Sequence, residues 1–361
     1  MKRRQFFGAA TAATVGALAM PAIAQNVVNW RMVTTWPKNF PGLGVGAARL
    51  AERINKASGG RMNITVYSAG ELVPALGALD AVIDGSAEMS HGASYYWQNK
   101  SAGLAFYTGV PYGMTSRELS AWIRYLGGQE AWDEIYDGFG VQGFLSGDTG
   151  TQAGGWFKKD LNTVADIAGL RFRTPGLGGQ VWQKLGASVV NMPAGEIFAA
   201  LQSGTLDAAE FVGPYNDLAL GFYQICKNYY FPSFIEPGLA TELVVSKAKY
   251  QALPEDLQAI IKAVCQAEYD QVASDFYAND PRSLATLVAE HGVVVKRFPD
   301  EILEAGAKAA LEIITDKRQN GDAATKKVVE SYVAALNLLR TRTEGTDSPF
   351  LQAREKYFKI G

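Results

Sequence analysis

The chain has 361 residues, of which 48% are hydrophobic, 11% aromatic and 19% charged, so a buried core is expected and intrinsic disorder is excluded as the default state. Its 34 Lys and Arg against 36 Asp and Glu give a formal net charge of -2 with no basic block, which argues against nucleic acid as a partner and against a polybasic membrane-surface protein. Two cysteines, Cys226 and Cys265, and two histidines, His91 and His291, exclude a disulfide framework, a structural zinc module and a His-rich metal centre.

Lys2, Arg3 and Arg4 precede an uncharged stretch, Gln5 to Ala24, that ends in Ala22-Ile23-Ala24, the pattern of an export signal cleaved before Gln25. The paired arginines followed by Phe6 and Phe7 fit a twin-arginine signal, with the general secretory route as the alternative. Gly8, Gly16 and Pro21 break this stretch, and a membrane anchor needs about 20 strongly apolar residues. Downstream, the longest uncharged run, Ser101 to Ser116, is too short and too rich in glycine to span. The mature chain is therefore expected in the periplasm, soluble and mildly acidic.

Residues 28–35 alternate and are rich in β-formers, and apolar residues at helical spacing over 47–57 follow, stopped by Gly59-Gly60. A strand over 62–67, a helix over 77–84 closed by Gly85 and a short strand over 87–90 continue a β-α-β pattern. After a mixed helical region over 116–139, strands over 141–146 and 154–157 bracket the polar stretch Gly147 to Gln152, where the chain is expected to cross between two domains. The pattern then restarts: a short helix over 163–167, strands over 170–173, 187–191 and 208–212, and helices over 179–185 and 196–203. Residues 241–246 read as a strand returning to the first unit, and the remainder is Ala-rich and helical, punctuated by Pro281, Pro299 and Gly321. The fold class is α/β, two lobes joined by crossing strands, with a helical C-terminal region. Lobe I is placed at 25–150 plus about 239–278, lobe II at 151–238 plus about 279–340 with the long C-terminal helix, and a tail at 341–361.

No catalytic motif stands out. Gly42-Leu43-Gly44-Val45-Gly46 opens a helix, but its spacing is wrong for a dinucleotide cradle, and Pro37 and Pro41 disturb the approach. The stretch from Thr149 to Glu236 is more informative. Arg173 ends a strand before Thr174-Pro175-Gly176, which leaves its guanidinium at the carboxyl end, where α/β crevices bind ligands and a fork of five donors suits a carboxylate. Arg171 is assigned to the surface by the alternation of strand faces, and Lys158 and Lys159 are read as solvated. Glu210 ends another strand, Glu236 ends an aromatic-rich stretch before the return crossing, and Gln152 sits at the first crossing. Two carboxylates and an amide oxygen on one crevice suit a hard cation, Ca²⁺ or Na⁺. With one guanidinium, two carboxylates, a monocarboxylate ligand and Ca²⁺, the formal charges cancel.

Five segments carry a resemblance to a known family: Ser68 to Pro74 (SAGELVP), Ser94 to Trp97 (SYYW), Thr149 to Phe157 (TGTQAGGWF), Leu170 to Arg173 (LRFR) and Asp207 to Tyr215 (DAAEFVGPY). The chain resembles the solute-binding proteins of tripartite ATP-independent periplasmic (TRAP) transporters, DctP family, of the TakP-like 2-oxo acid-binding type. The resemblance implies a two-lobed periplasmic-binding-protein fold and a small organic acid delivered to TRAP membrane permease subunits. It implies a ligand carboxylate clamped by Arg173 beside Gln152, Tyr95, Tyr96 and Phe211, and a cation bridged by Gln152, Glu210, the Phe211 backbone and Glu236. It also implies a homodimer formed through a long C-terminal helix, for which the amphipathic stretch Ala323 to Leu339 is the candidate; a helix packed on its own lobe is the alternative. Phe211 stands where the TakP type has Trp, a change that keeps a main-chain ligand but alters the pocket wall and so leaves room for branched or longer 2-oxo acids. The competing reading is an exported acid/base hydrolase using Glu210 and Glu236, for instance on a glycan, or a binder of another organic acid or sugar acid.

Overall fold

Residues 27–359 are described by the computed structural model of the chain; the export signal expected over 1–24 and its expected cleavage before Gln25 lie outside them. Eleven strands form among the described residues: β1 (Val28–Thr34), β2 (Met62–Tyr67), β3 (Met89–Gly92), β4 (Val141–Asp148), β5 (Gly155–Phe157), β6 (Arg171–Arg173), β7 (Ser188–Val190), β8 (Ala208–Ala209), β9 (Asn228–Phe231), β10 (Ala240–Ser246) and β11 (Val294–Arg297). They make two sheets, ordered β2-β1-β3-β10-β4 and β11-β9-β5-β8-β6-β7. In the first, β1 runs parallel to β2 and β3 while β10 is antiparallel to β3 and β4. In the second, β5 is antiparallel to β8 and β9, and β6 is parallel to β7 and β8. Helices cover both sheets, as parallel β-α-β units require.

Two connections join the sheets, Thr149 to Gly154 between β4 and β5 and Pro232 to Leu239 between β9 and β10. They run beside each other and are bonded together: Thr149 N donates to Leu239 O (3.0 Å), Gln152 N to Glu236 O (3.2 Å) and Ser233 N to Gln152 O (3.0 Å). Any change of angle between the lobes therefore passes through the two segments that carry Gln152 and Glu236.

A third tie is the 37-residue helix Glu255–His291, which packs on β4 and the helix Leu43–Ala57 along one half and on the helix Pro214–Leu220 along the other. Pro281 does not end it, contrary to the sequence expectation. The hydrogen bond that proline forfeits belongs to the carbonyl four residues back, at Tyr277, which is 85% exposed, so water can take it. Glu268 of this helix is wholly buried and clamped by Arg49 Nε (2.8 Å) and Arg53 Nη1 (2.9 Å) from Leu43–Ala57. The glycines at the start of that helix serve the same packing. A Cβ on Gly42 would lie 2.5 Å from the Phe276 ring and one on Gly46 3.1 Å from Val272. Close helix contact accounts for Gly42 and Gly46, and the Pro37 carbonyl, 2.5 Å from where a Cβ would lie, accounts for Gly44.

The helix Ala323–Arg342 buries Val328, Val329, Tyr332 and Ala335 against the 3-10 turn Ala102–Tyr107 and the helices Ser116–Tyr125 and Gly128–Asp137. Tyr332 packs edge-on against Phe106 and Trp122, and its hydroxyl accepts from Met114 N (2.7 Å). The sequence boundary at about 279–340 groups this helix with lobe II; it packs on the preceding helix Asp300–Asn320, which that boundary also places there, and equally on these first-lobe elements. Periodicity shows that a helix has a buried face and says nothing of what buries it.

Candidate functional site

Arg173 ends β6 with its side chain fully buried between the lobes. Nε donates to Met192 O (3.0 Å) and Nη1 to the main-chain carbonyl of Glu210 (2.5 Å). The guanidinium lies over the Phe211 ring, 5.2 Å from its centroid, a cation–π arrangement. Nη2 has no partner. Three of the five fixed donors are thus left to hold the group in place or to meet a ligand, and Nη2 is the one positioned to do the latter.

Glu210 follows β8 with its backbone N donating to Arg173 O (2.9 Å), and its carboxylate stands 3.9 Å from Arg173 Nη1. Thr174, read in the sequence only as part of the strand stop, donates its hydroxyl to Glu210 Oε2 at 3.4 Å. Glu236 is tied through its own backbone N to Ser233 Oγ (3.0 Å), and the Gln152 amide nitrogen donates to Thr149 Oγ1 (3.1 Å). Those bonds orient the side chains and leave three acceptors without a partner: Gln152 Oε1, Glu210 Oε1 and Glu236 Oε2, all buried. Burial, with the Glu236 charge added, holds the Glu210 carboxyl well above the usual carboxylate range against the pull of Arg173. Burial pushes Glu236 up to about 8, again opposed by Arg173. Two desolvated carboxylates and an amide oxygen with unused lone pairs are a donor set for a hard cation, whose charge reverses the cost of ionising them. Among the described residues no three His, Cys, Asp or Glu side chains gather to hold a metal, so such a cation relies on two acids, the amide and main-chain carbonyls.

The first lobe supplies Tyr95 and Tyr96 from the 3-10 turn Ser94–Trp97 that follows β3. Their rings lie 4.7 Å apart. Burial raises both phenols; at Tyr95 the Glu236 and Glu210 charges add to it, and at Tyr96 Arg173 opposes it. Tyr95 reaches across to Gly176, where a Cβ would come within 2.5 Å of its ring and where φ is +64°, so glycine is required on both counts. Phe211 is 3% exposed, with Phe40 of the first lobe edge-on to it at 5.7 Å. Phe40 and Phe211 thus pack against each other across the lobes. Asn216 Nδ2 to Pro41 O (2.8 Å) and Gln180 Nε2 to Gln98 Oε1 (3.1 Å) also bridge the lobes. A cleft of about 430 Å³ opens beside the site, lined by Thr35, Pro37, Gly70 and Pro74 from one lobe and Pro193 and Glu196 from the other.

The seven residues singled out in the sequence thus come from both lobes and both crossings into one neighbourhood. Two neighbouring readings need correction. Arg171 and Arg173 are two apart on one strand, so alternation places them on the same face; Arg171 differs because it stands at the outer end of β6, where Asp207 Oδ2 receives its Nε (2.8 Å). Lys158 is not a solvated lysine, since Nζ donates to the carbonyls of Leu201 and Leu206, each at 2.7 Å, at the end of the helix Ala194–Gln202. Met192, Thr174 and Phe40 carried no motif, and only their contacts with Arg173, Glu210 and Phe211 single them out.

Residues 32–320 match the DctP family, described as bacterial extracellular solute-binding protein, family 7. The chain is 39% identical over 343 residues to a monocarboxylate 2-oxoacid-binding periplasmic protein of Nostoc sp., covering 92% of this chain and 93% of that one. In structure it is similar to a TRAP periplasmic solute-binding protein from Pseudoalteromonas atlantica with bound sodium and pyruvate (TM-score 0.87, 36% identity, 90% of this chain and 99% of that one). A TRAP solute-binding protein from Bordetella bronchiseptica, a mixed-occupancy dimer with copurified calcium and picolinate in one site, gives a TM-score of 0.87 at 32% identity, over 91% of this chain and 99% of that one.

Proposed function

The chain belongs to the DctP family of bacterial extracellular solute-binding proteins, and from that premise we propose that it binds a small 2-oxo or 2-hydroxy monocarboxylate and delivers it to a TRAP membrane permease. It is a binding protein rather than an enzyme, so Glu210 and Glu236 serve as ligands and not as an acid/base pair. The observation that carries the ligand class is the set of unpartnered buried atoms, one guanidinium nitrogen with its two N–H donors beside three oxygen acceptors. Arg173 would clamp the carboxylate, and Gln152, Glu210, Glu236 and the Phe211 carbonyl would hold Ca²⁺ or Na⁺. The cation supplies positive charge that a carboxylate and its α-oxygen can chelate together, with Tyr95, Tyr96 and Phe211 as walls. A single guanidinium matches a monocarboxylate, whereas a dicarboxylate calls for a second fixed cation.

Thermal-shift measurements with pyruvate, lactate, 2-oxobutyrate, 2-oxoisovalerate, succinate and a neutral sugar, each with and without Ca²⁺, test the assignment. The 2-oxo acids should stabilise in a cation-dependent manner, by about 2.7 kcal/mol at a hundred times the dissociation constant. A response to succinate or the sugar alone would overturn it.

The family is extracytoplasmic; the finer proposal is a periplasmic protein whose leader is removed before Gln25. The intact mass of the exported protein should begin at that residue, and a mass retaining residues 1–24 would refute cleavage. We also expect a homodimer, although the apolar face of Ala323 to Leu339 is covered within the chain, as the alternative reading has it. The last helix, Ser348–Tyr357, buries no residue and exposes Phe350 and Tyr357 by 64% and 75%. Light scattering at micromolar concentration should give twice the chain mass; a monomer mass would count against it.

A further inference from the structure

A buried carboxylate behind the tyrosine pair has no part in holding ligand or cation. Glu242 lies on β10 opposite Gly92 of β3 and is 1% exposed. Its Oε2 accepts from Ser94 Oγ (2.8 Å) and Tyr136 Oη (2.6 Å), and its Oε1 accepts from Trp97 Nε1 (2.7 Å). All three donors are neutral. An acid so placed carries a large desolvation cost, which the three donors offset by fixing the carboxylate in one orientation.

Ser94 and Trp97 are the two ends of the turn whose middle is Tyr95-Tyr96. Bonds from one carboxylate to both ends fix the rotation of that turn and hence the direction of the two phenols. Two tryptophans pack on Tyr96, Trp97 from the turn and Trp36 from just beyond β1. Trp97 packs edge-on against it at 6.0 Å, and Trp36 lies 6.3 Å away with its Nε1 donating to His91 Nδ1 (2.8 Å). His91 Nε2 in turn faces Ser146 Oγ at 3.2 Å. The β10–β4 register shifts between Thr241 and Glu242, so that Thr241 pairs with Gly147 and Glu242 with Leu145. Such an irregularity, which leaves Ser146 as the extra residue, is how a strand re-aims side chains next to a site.

We propose that Glu242 is a positioning residue that sets the Tyr95-Tyr96 turn against Arg173 and thereby tunes ligand affinity. This rests on the 2-oxo acid reading of the site. Calorimetry with pyruvate in the presence of Ca²⁺, on wild type, Glu242→Gln, Tyr96→Phe and the double variant, tests it. Glu242→Gln should weaken pyruvate by about tenfold, and the double variant should bind no more weakly than the weaker single one, because Glu242 acts by holding the turn that aims the Tyr96 phenol. Should Glu242→Gln not fold, Tyr136→Phe removes one of the three bonds and should weaken pyruvate about threefold, an effect again absorbed by Tyr96→Phe. Affinity within twofold of wild type in Glu242→Gln and Tyr136→Phe, or effects that multiply with Tyr96→Phe, would reduce Glu242 to a core residue and overturn the inference. Failure of the wild type itself to bind pyruvate would overturn the ligand reading and this inference with it, a result distinct from the first.

Discussion

Arg173→Ala should abolish or severely weaken 2-oxo acid binding, by roughly 30-fold to several thousandfold, because truncating one partner of a buried charged pair costs about 2–5 kcal/mol. The magnitude follows from the side chain's isolation. It is fully buried, and its Nη2 is the one guanidinium nitrogen without a protein hydrogen bond among those described. Removing it leaves a ligand carboxylate in a water-excluded crevice that already holds Glu210 and Glu236, with no cation of the protein to offset them. Arg173→Lys should rescue little. An ammonium can replace the charge, but it cannot satisfy Met192 O and Glu210 O while also presenting a donor to the ligand, as the planar fork does. Because the alanine variant also strands those two carbonyls, circular dichroism must show native structure before calorimetry is read. A folded Arg173→Ala protein that binds within about twofold of wild type would mean the carboxylate site lies elsewhere.

Removal of the cation is the second large effect expected. Chelation and dialysis should weaken 2-oxo acid binding by about 5- to 150-fold, the usual span of coupling between linked sites, and the acid should tighten Ca²⁺ or Na⁺ by the same factor. Reciprocity is the stringent part, since a cation that merely stabilised the fold would raise the melting temperature without being tightened by ligand. Glu236→Gln should loosen both partners: it removes one of two carboxylates while keeping the size of the side chain and its backbone bond to Ser233. Equal pyruvate affinity in metal-free protein before and after adding Ca²⁺ or Na⁺ would refute a bridging cation.

Much of the architecture was legible along the chain because it depends on near neighbours. Alternation over 28–35 and 62–67 marks β1 and β2, and glycine at positive φ marks where helices stop, as at Gly204. The crossing near Gly147 to Gln152 showed itself as a polar stretch between two β-rich runs. Strands with little side-chain pattern were harder. The strand read over 208–212 shrinks to the two residues of β8, and β9 and β11 lay inside stretches read only as aromatic-rich or helical. Their existence depends on pairing with residues tens of positions away, which leaves no local mark.

By itself the sequence determined the α/β class, the two-part organisation and the family, since these rest on periodicity and on short motifs that survive as strings of residues. It also singled out Arg173, Glu210, Glu236 and Gln152, because each ends a strand or opens a crossing. Only the tertiary structure decided that Arg173 is buried while Arg171 is bound to Asp207 at the surface, that Lys158 caps a helix, that Phe40 packs beside Phe211, and that the helix from Ala323 packs on first-lobe elements as well as on the helix before it. The physical reason is common to all four. Burial and hydrogen-bond partnership belong to the whole folded surface, and residues of like chemistry two positions apart in the chain meet different surroundings once the lobes close on one another.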